Sequence, residues 1–134
     1  MPKQIFVNLP VKDLNKTIDF FTKLGFGFNP KFTDENATCM IIGENIFAML
    51  LVEKFFKTFI PKKEISDPKK HTEVLVALSF ERRAKVDEII KKAVAAGGKE
   101  YRCTQDSGWM YGRAFEDPDG HIWEIFHMDE SGMK

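Results

Sequence analysis

Hydrophobic and polar positions change period along the chain in an ordered way. Ile5, Val7, Leu9 and Val11 alternate with Phe6, Asn8 and Pro10, the period of a strand. Asp13 stands where an N-cap belongs. Leu14, Ile18, Phe21 and Leu24 follow at helical spacing, with Lys16, Asp19 and Lys23 on the other face. Gly25 suits the residue just past the helix. Strands are predicted over 26–32, 37–42 and 46–52, separated by Thr33-Asp34-Glu35-Asn36 and Gly43-Glu44-Asn45. The first module, 4–53, therefore reads β-α-β-β-β.

Residues 54–71 break the pattern. They are rich in lysine and carry Pro61, Pro68 and a Phe55, Phe56, Phe59 cluster. A short helix and a polar connection are expected, read either as a solvated linker or as a lid. The pattern then restarts over 72–128. A strand is predicted over 73–80 and a helix over 82–96 with a stripe of Val86, Ile89, Ile90, Ala93 and Val94. Strands are predicted over 99–104, 109–115 and 121–128. Asp117-Pro118-Asp119-Gly120 is a turn by chemistry, with proline presetting φ and glycine taking a positive φ. The second module repeats the first. Leu9-x-Val11 matches Leu78-x-Phe80, and Asn45-Ile46-Phe47-Ala48-Met49 matches His121-Ile122-Trp123-Glu124-Ile125. The expected architecture is one α+β domain over 1–134, with two tandem βαβββ modules, helices outside and a concave mixed-sheet cleft inside.

Composition narrows the function. With 134 residues, 43% apolar and 30% charged, the chain is an ordinary globular domain. Lys+Arg and Asp+Glu both total 20, so the basic excess of a nucleic-acid-binding domain is missing. No apolar run approaches the roughly 20 residues that span a bilayer. The first residues lead into a strand and not into a signal-peptide core, so neither a membrane partner nor secretion is expected. Two cysteines, Cys39 and Cys103, are too few for a disulfide scaffold. A reduced, cytoplasmic protein is the expectation.

Two stretches carry a resemblance. They are Leu9-Pro10-Val11-Lys12-Asp13-Leu14 running into Phe20-Phe21 and Leu24-Gly25-Phe26, and Gly112-Arg113-Ala114-Phe115-Glu116-Asp117-Pro118-Asp119-Gly120-His121-Ile122-Trp123-Glu124. From Ile5 to His127 the chain resembles the vicinal oxygen chelate superfamily: glyoxalase I, bleomycin-resistance proteins, extradiol dioxygenases and fosfomycin-resistance enzymes. It looks most like small bacterial predicted lactoylglutathione lyases. The resemblance implies a homodimer and, in the family's metalloenzymes, one divalent metal held by a side chain from the first and the fourth strand of each module. Aligned to those positions stand Phe6, Ala48, Leu75 and Glu124. Only Glu124 can ligate, and a bound zinc needs at least about three protein ligands. No metal and no other cofactor is expected.

The candidate residues follow from face and chemistry. Glu124, beside Ile122 and Phe126 on its strand face, is the candidate catalytic base. It reads equally as a carboxylate paired with Arg113, placed opposite it across a four-residue turn. Asn8 is unusual inside a strand, so it reads as a ligand contact or as a bond to a nearby loop backbone. Trp109, Tyr111 and Arg113 share a face and offer stacking surface, a hydroxyl and a cation, for a ligand or for packing. Phe6, Ala48 and Leu75 turn the family's metal positions into an apolar lining. The expected function is small-molecule binding in the sheet cleft without the family's metal. The alternative is a lyase or dioxygenase-type enzyme using Glu124, with or without a divalent metal.

Overall fold

The computed structural model describes residues 1–132. The chain divides into two compact units, 1–66 and 67 onward. In the first, Asp13 caps the helix as its side chain accepts from the Lys16 amide at 3.1 Å, and Gly25 ends it at φ 102°. The elements are β1 (Ile5–Val11), α1 (Leu14–Lys23), β2 (Gly27–Asn29), β3 (Ala37–Gly43), β4 (Ile46–Val52) and α2 (Glu53–Thr58). Pro30–Phe32, expected as strand, forms a single 3-10 turn, because Pro30 starts it and the Asn29 side chain accepts from the Lys31 amide. The sheet order is β1-β4-β3-β2, with β1 and β4 parallel and the other pairs antiparallel.

The second unit repeats that plan. Its elements are β5 (Val76–Ser79), α3 (Arg83–Ala95), β6 (Lys99–Glu100), β7 (Gln105–Asp106), β8 (Met110–Glu116) and β9 (Ile122–Met128). The order is β5-β9-β8-β6, with β7 also on β8 and with β5 and β9 parallel. The α+β class and the doubled module therefore hold. Each module is a mixed, unclosed sheet whose first and last long strands pair in parallel around an intervening helix. Among the described residues, no helix is long and apolar enough to cross a membrane.

Each core follows from alternation. In the first unit Leu9, Val11, Met40, Ala48 and Leu50 are buried with Leu14, Thr17, Phe20 and Phe21 of α1. In the second, Phe115, Trp123 and Ile125 are buried with Val86, Ile89, Ile90 and Ala93 of α3.

The turn between β8 and β9 is organised around one buried carboxylate. One oxygen of buried Asp117 accepts from the amides of Asp119, Gly120 and His121 at 2.9, 3.0 and 3.1 Å. Its other oxygen accepts from the Trp123 indole at 3.0 Å. Burial pushes the Asp117 carboxyl up, and the indole and backbone donors oppose that rise. Gly120 adopts φ 100°, and a Cβ there would lie 3.1 Å from the Pro68–Lys69 backbone. Only glycine fits, both for conformation and for space.

Candidate functional site

Strand register decides which candidates share a face. In the first sheet Phe6 pairs with Phe47, Val7 with Ala48 and Asn8 with Met49. Phe6 and Phe47 stack at 4.9 Å between ring centroids, and Phe6 is 45% exposed. Asn8 is exposed on the same face, and among the described residues its side chain has no hydrogen-bond partner. The expected alternative of a bond to loop backbone is not made.

Ala48 needs correcting. It is fully buried and in register with Val7 and Met40, on the face opposite Phe6. Register shows why. The parallel pairs match Val7 with Ala48 and Leu9 with Leu50, and Val76 with Trp123 and Leu78 with Ile125. Ala48 is thus the counterpart of Trp123, and Met49, half-buried beside Asn8, is the counterpart of Glu124. A one-residue slip moves a side chain to the other face.

In the second sheet Glu124 pairs with Ala77 and Ala114. Its ion-pair partner is Arg102, at 2.8 Å, and not Arg113. The turn explains the correction. The Asp117 amide donates to the His121 carbonyl, so five residues separate the paired Glu116 and Ile122, and Arg113 faces Ile125. Arg113 lies on the α3 side. It binds Glu100 through two hydrogen bonds at 2.9 and 2.8 Å and Asp87 through one at 2.8 Å. Glu100, and Asp87 after it, hold that guanidinium still more firmly protonated. Tyr111 donates to Asp87 at 2.6 Å and carries Arg83 4.8 Å over its ring. Trp109 precedes β8, half-buried, with its carbonyl accepting from Asp129. Tyr111 and Arg113 therefore do not share a face with Glu124. Leu75 is half exposed and precedes the first paired residue of β5.

The Tyr111 hydroxyl, with Arg113 adding and partial burial opposing, holds Asp87 below the usual carboxylate range. A depressed carboxyl stabilises the fold above its unfolded value of about 3.9, and that stability is lost as pH falls through the folded value. Asp87 is half exposed, so its share is under about 1 kcal/mol. Asp87→Asn should melt slightly lower at pH 7 and show a flatter loss of stability between pH 5 and pH 3. Parallel acid limbs in urea titrations of the two proteins would count against the network.

The family's metal can be tested against these residues. The four positions carry Phe6, Met49, Leu75 and Glu124, and the carboxylate is engaged by Arg102. Among the described residues, no three His, Cys, Asp or Glu side chains converge to hold an ion. One carboxylate and one thioether do not suit a hard divalent cation.

Likeness to known proteins agrees with the doubled module. A family model described as Glyoxalase/Bleomycin resistance protein/Dioxygenase superfamily matches residues 3–125. No curated protein matches the chain. Among solved structures, hypothetical protein SA1046 from S. aureus is 27% identical with a TM-score of 0.79, over 95% of this chain and 94% of that one. A glyoxalase/bleomycin resistance protein/dioxygenase family enzyme from Burkholderia phytofirmans PsJN has a TM-score of 0.78 at 15% identity, over 92% and 96% of the chains. The bleomycin resistance determinant encoded on the transposon Tn5 has a TM-score of 0.66 at 20% identity, over 96% and 99%. With the family model spanning nearly the whole sequence and both parallel-strand modules in place, the chain belongs to the glyoxalase/bleomycin resistance protein/dioxygenase superfamily.

Proposed function

We propose that the protein binds a small organic molecule on a sheet face, with Phe6 and Asn8 as the candidate contacts of the first unit and Glu124 that of the second, and does so without the divalent metal used by the family's metalloenzymes. The observation that carries this reading is the chemistry of those faces. The first presents a stacked aromatic pair and an unpartnered amide, and the second presents a carboxylate only a quarter exposed. These are recognition groups in an apolar setting, and the donors a metal needs are replaced by Phe6, Met49 and Leu75. A bleomycin resistance determinant shares this fold. A homodimer acting in the reducing cytoplasm completes the proposal. Apolar Ile5, Phe6, Ile41 and Ile46 stand exposed on the first unit, and both cysteines are free.

Glu124→Gln tests the reading, because it keeps shape and removes charge. Its partner Arg102 is partly exposed, so stability should change by less than about 1 kcal/mol. In a thermal-shift screen, ligands that donate to Glu124 should weaken by about 1–3 kcal/mol, while ligands without a donor respond as in wild type. Identical responses of both proteins to every ligand would remove Glu124 from the site. A substrate whose turnover falls roughly a hundredfold in the variant would favour the enzyme, with Glu124 as base.

A further inference from the structure

We propose that Arg102 is the second recognition group on the Glu124 face and that the pair selects a zwitterionic small molecule, its anion on Arg102 and its cation on Glu124. This rests on the reading that the face binds a small molecule.

The placement of Arg102 comes from a break in the sheet. β6 ends at Glu100 and β7 begins at Gln105, both paired with β8. Between them the chain leaves the ladder, keeping a bond from the Tyr101 amide to the Ala114 carbonyl at 2.9 Å. Ala114 is the residue paired with Glu124. The departure brings the Arg102 guanidinium to 2.8 Å from the Glu124 carboxylate. Residues Glu100 to Thr104 line a shallow, open hollow beside the pair, about 510 Å³ in volume.

Arg102 differs from the other engaged arginines of this unit. Arg83 and Arg113 each make three hydrogen bonds. Among the described residues Arg102 meets Glu124 alone, with no hydrogen bond in addition to the ion pair. Its five-donor fork is almost wholly unspent, and such a fork matches a carboxylate or phosphate bidentately. Both partners are partly exposed, at 31% and 26%, so a ligand can reach them.

The sign of the ligand follows from what the pair loses. An anion that draws the fork from Glu124 leaves that carboxylate facing a second anion. A cation on Glu124 leaves Arg102 facing a second cation. A neutral ligand laid over the pair removes water from two charges and replaces it with nothing. A molecule carrying both charges answers both groups at once.

The test compares matched probes by ¹H–¹⁵N NMR titration: 4-aminobutyrate and 6-aminohexanoate against butyrate, hexanoate, butylammonium and butanamide. At least one zwitterion should bind the Glu124 face tenfold or more tighter than its anionic, cationic or neutral counterparts. Arg102→Gln should abolish that preference, and Arg102→Lys should restore part of it. Glu124→Gln should turn the preference toward simple anions. Arg102 lies outside both cores, so wild-type-like melting is expected for each variant. If the neutral or singly charged probes move the Glu124 face as strongly as the zwitterions, the ligand class is wrong while the small-molecule site stands. If zwitterion binding persists undiminished in Arg102→Gln, the assignment of Arg102 is wrong. If no probe moves any amide of that face, both the class and the site fall.

Discussion

Asp117→Ala is expected to destabilise the protein by about 3–5 kcal/mol, a large share of the roughly 5–15 kcal/mol that holds a domain of this size. The substitution removes the acceptor for three backbone amides and the indole of Trp123. Trp123 is fully buried, so its N–H would lose this acceptor where water does not reach, and an unsatisfied buried donor costs about 1–3 kcal/mol by itself. The freed turn amides recover part of their loss by hydration. Asp117→Asn separates the two contributions: its oxygen can still serve the turn, but its amide nitrogen cannot accept from the indole. Asn should therefore fall between wild type and Ala in urea unfolding. Equal stability of all three would show that the turn holds without its carboxylate.

Ala48→Glu should be at least as damaging, at about 4 kcal/mol or more, because it places an uncompensated charge in a packed core. It installs a family-type ligand residue where aligning the two sequence repeats places one. Met49→Glu puts the same residue one position on, half-buried on the Phe6 face beside Asn8, and should cost less than about 1.5 kcal/mol. The contrast tests the register directly. A folded, wild-type-like Ala48→Glu with an unstable Met49→Glu would mean that β4 is one residue out of place.

That pair of variants also marks where the sequence stops being informative. The first strand was readable because Asn8 and Pro10 interrupt its apolar residues. The helices were readable from their stripes, and Gly25 and Gly120 from turn chemistry. The run from Ile46 to Val52 is apolar at every position. Nothing in it says which side chains face the core, and a match of repeats by residue type slipped by one. The same parity error moved Arg113. A turn taken as four residues is five, because His121 joins it through its carbonyl, so Arg113 faces α3 and Arg102 takes its place. Arg102 itself gave no signal. It sits in a stretch read as continuous strand, and its position depends on a break in pairing that only the ladder with β8 reveals.

The parallel pairing inside each unit has a consequence for the order of folding. β1 meets β4 across 41 positions, from Ile5 to Ile46, and β5 meets β9 across 47, from Val76 to Trp123. Nearest-neighbour hairpins cannot substitute for either closure. Loop entropy is therefore spent before the parallel contacts return anything, which places such units toward the slow side of small-domain folding. Translation sharpens the asymmetry. The first sheet has all its strands once Val52 has cleared the ribosome. In the second, β9 stands between β5 and β8, so β5 and the part of α3 that covers Trp123 and Ile125 wait for the strand made last. A nascent chain halted before Ile122 would present one finished sheet and one helix that has Phe115 of β8 but lacks Trp123 and Ile125 beneath it, a state in which a chaperone would find apolar surface to hold.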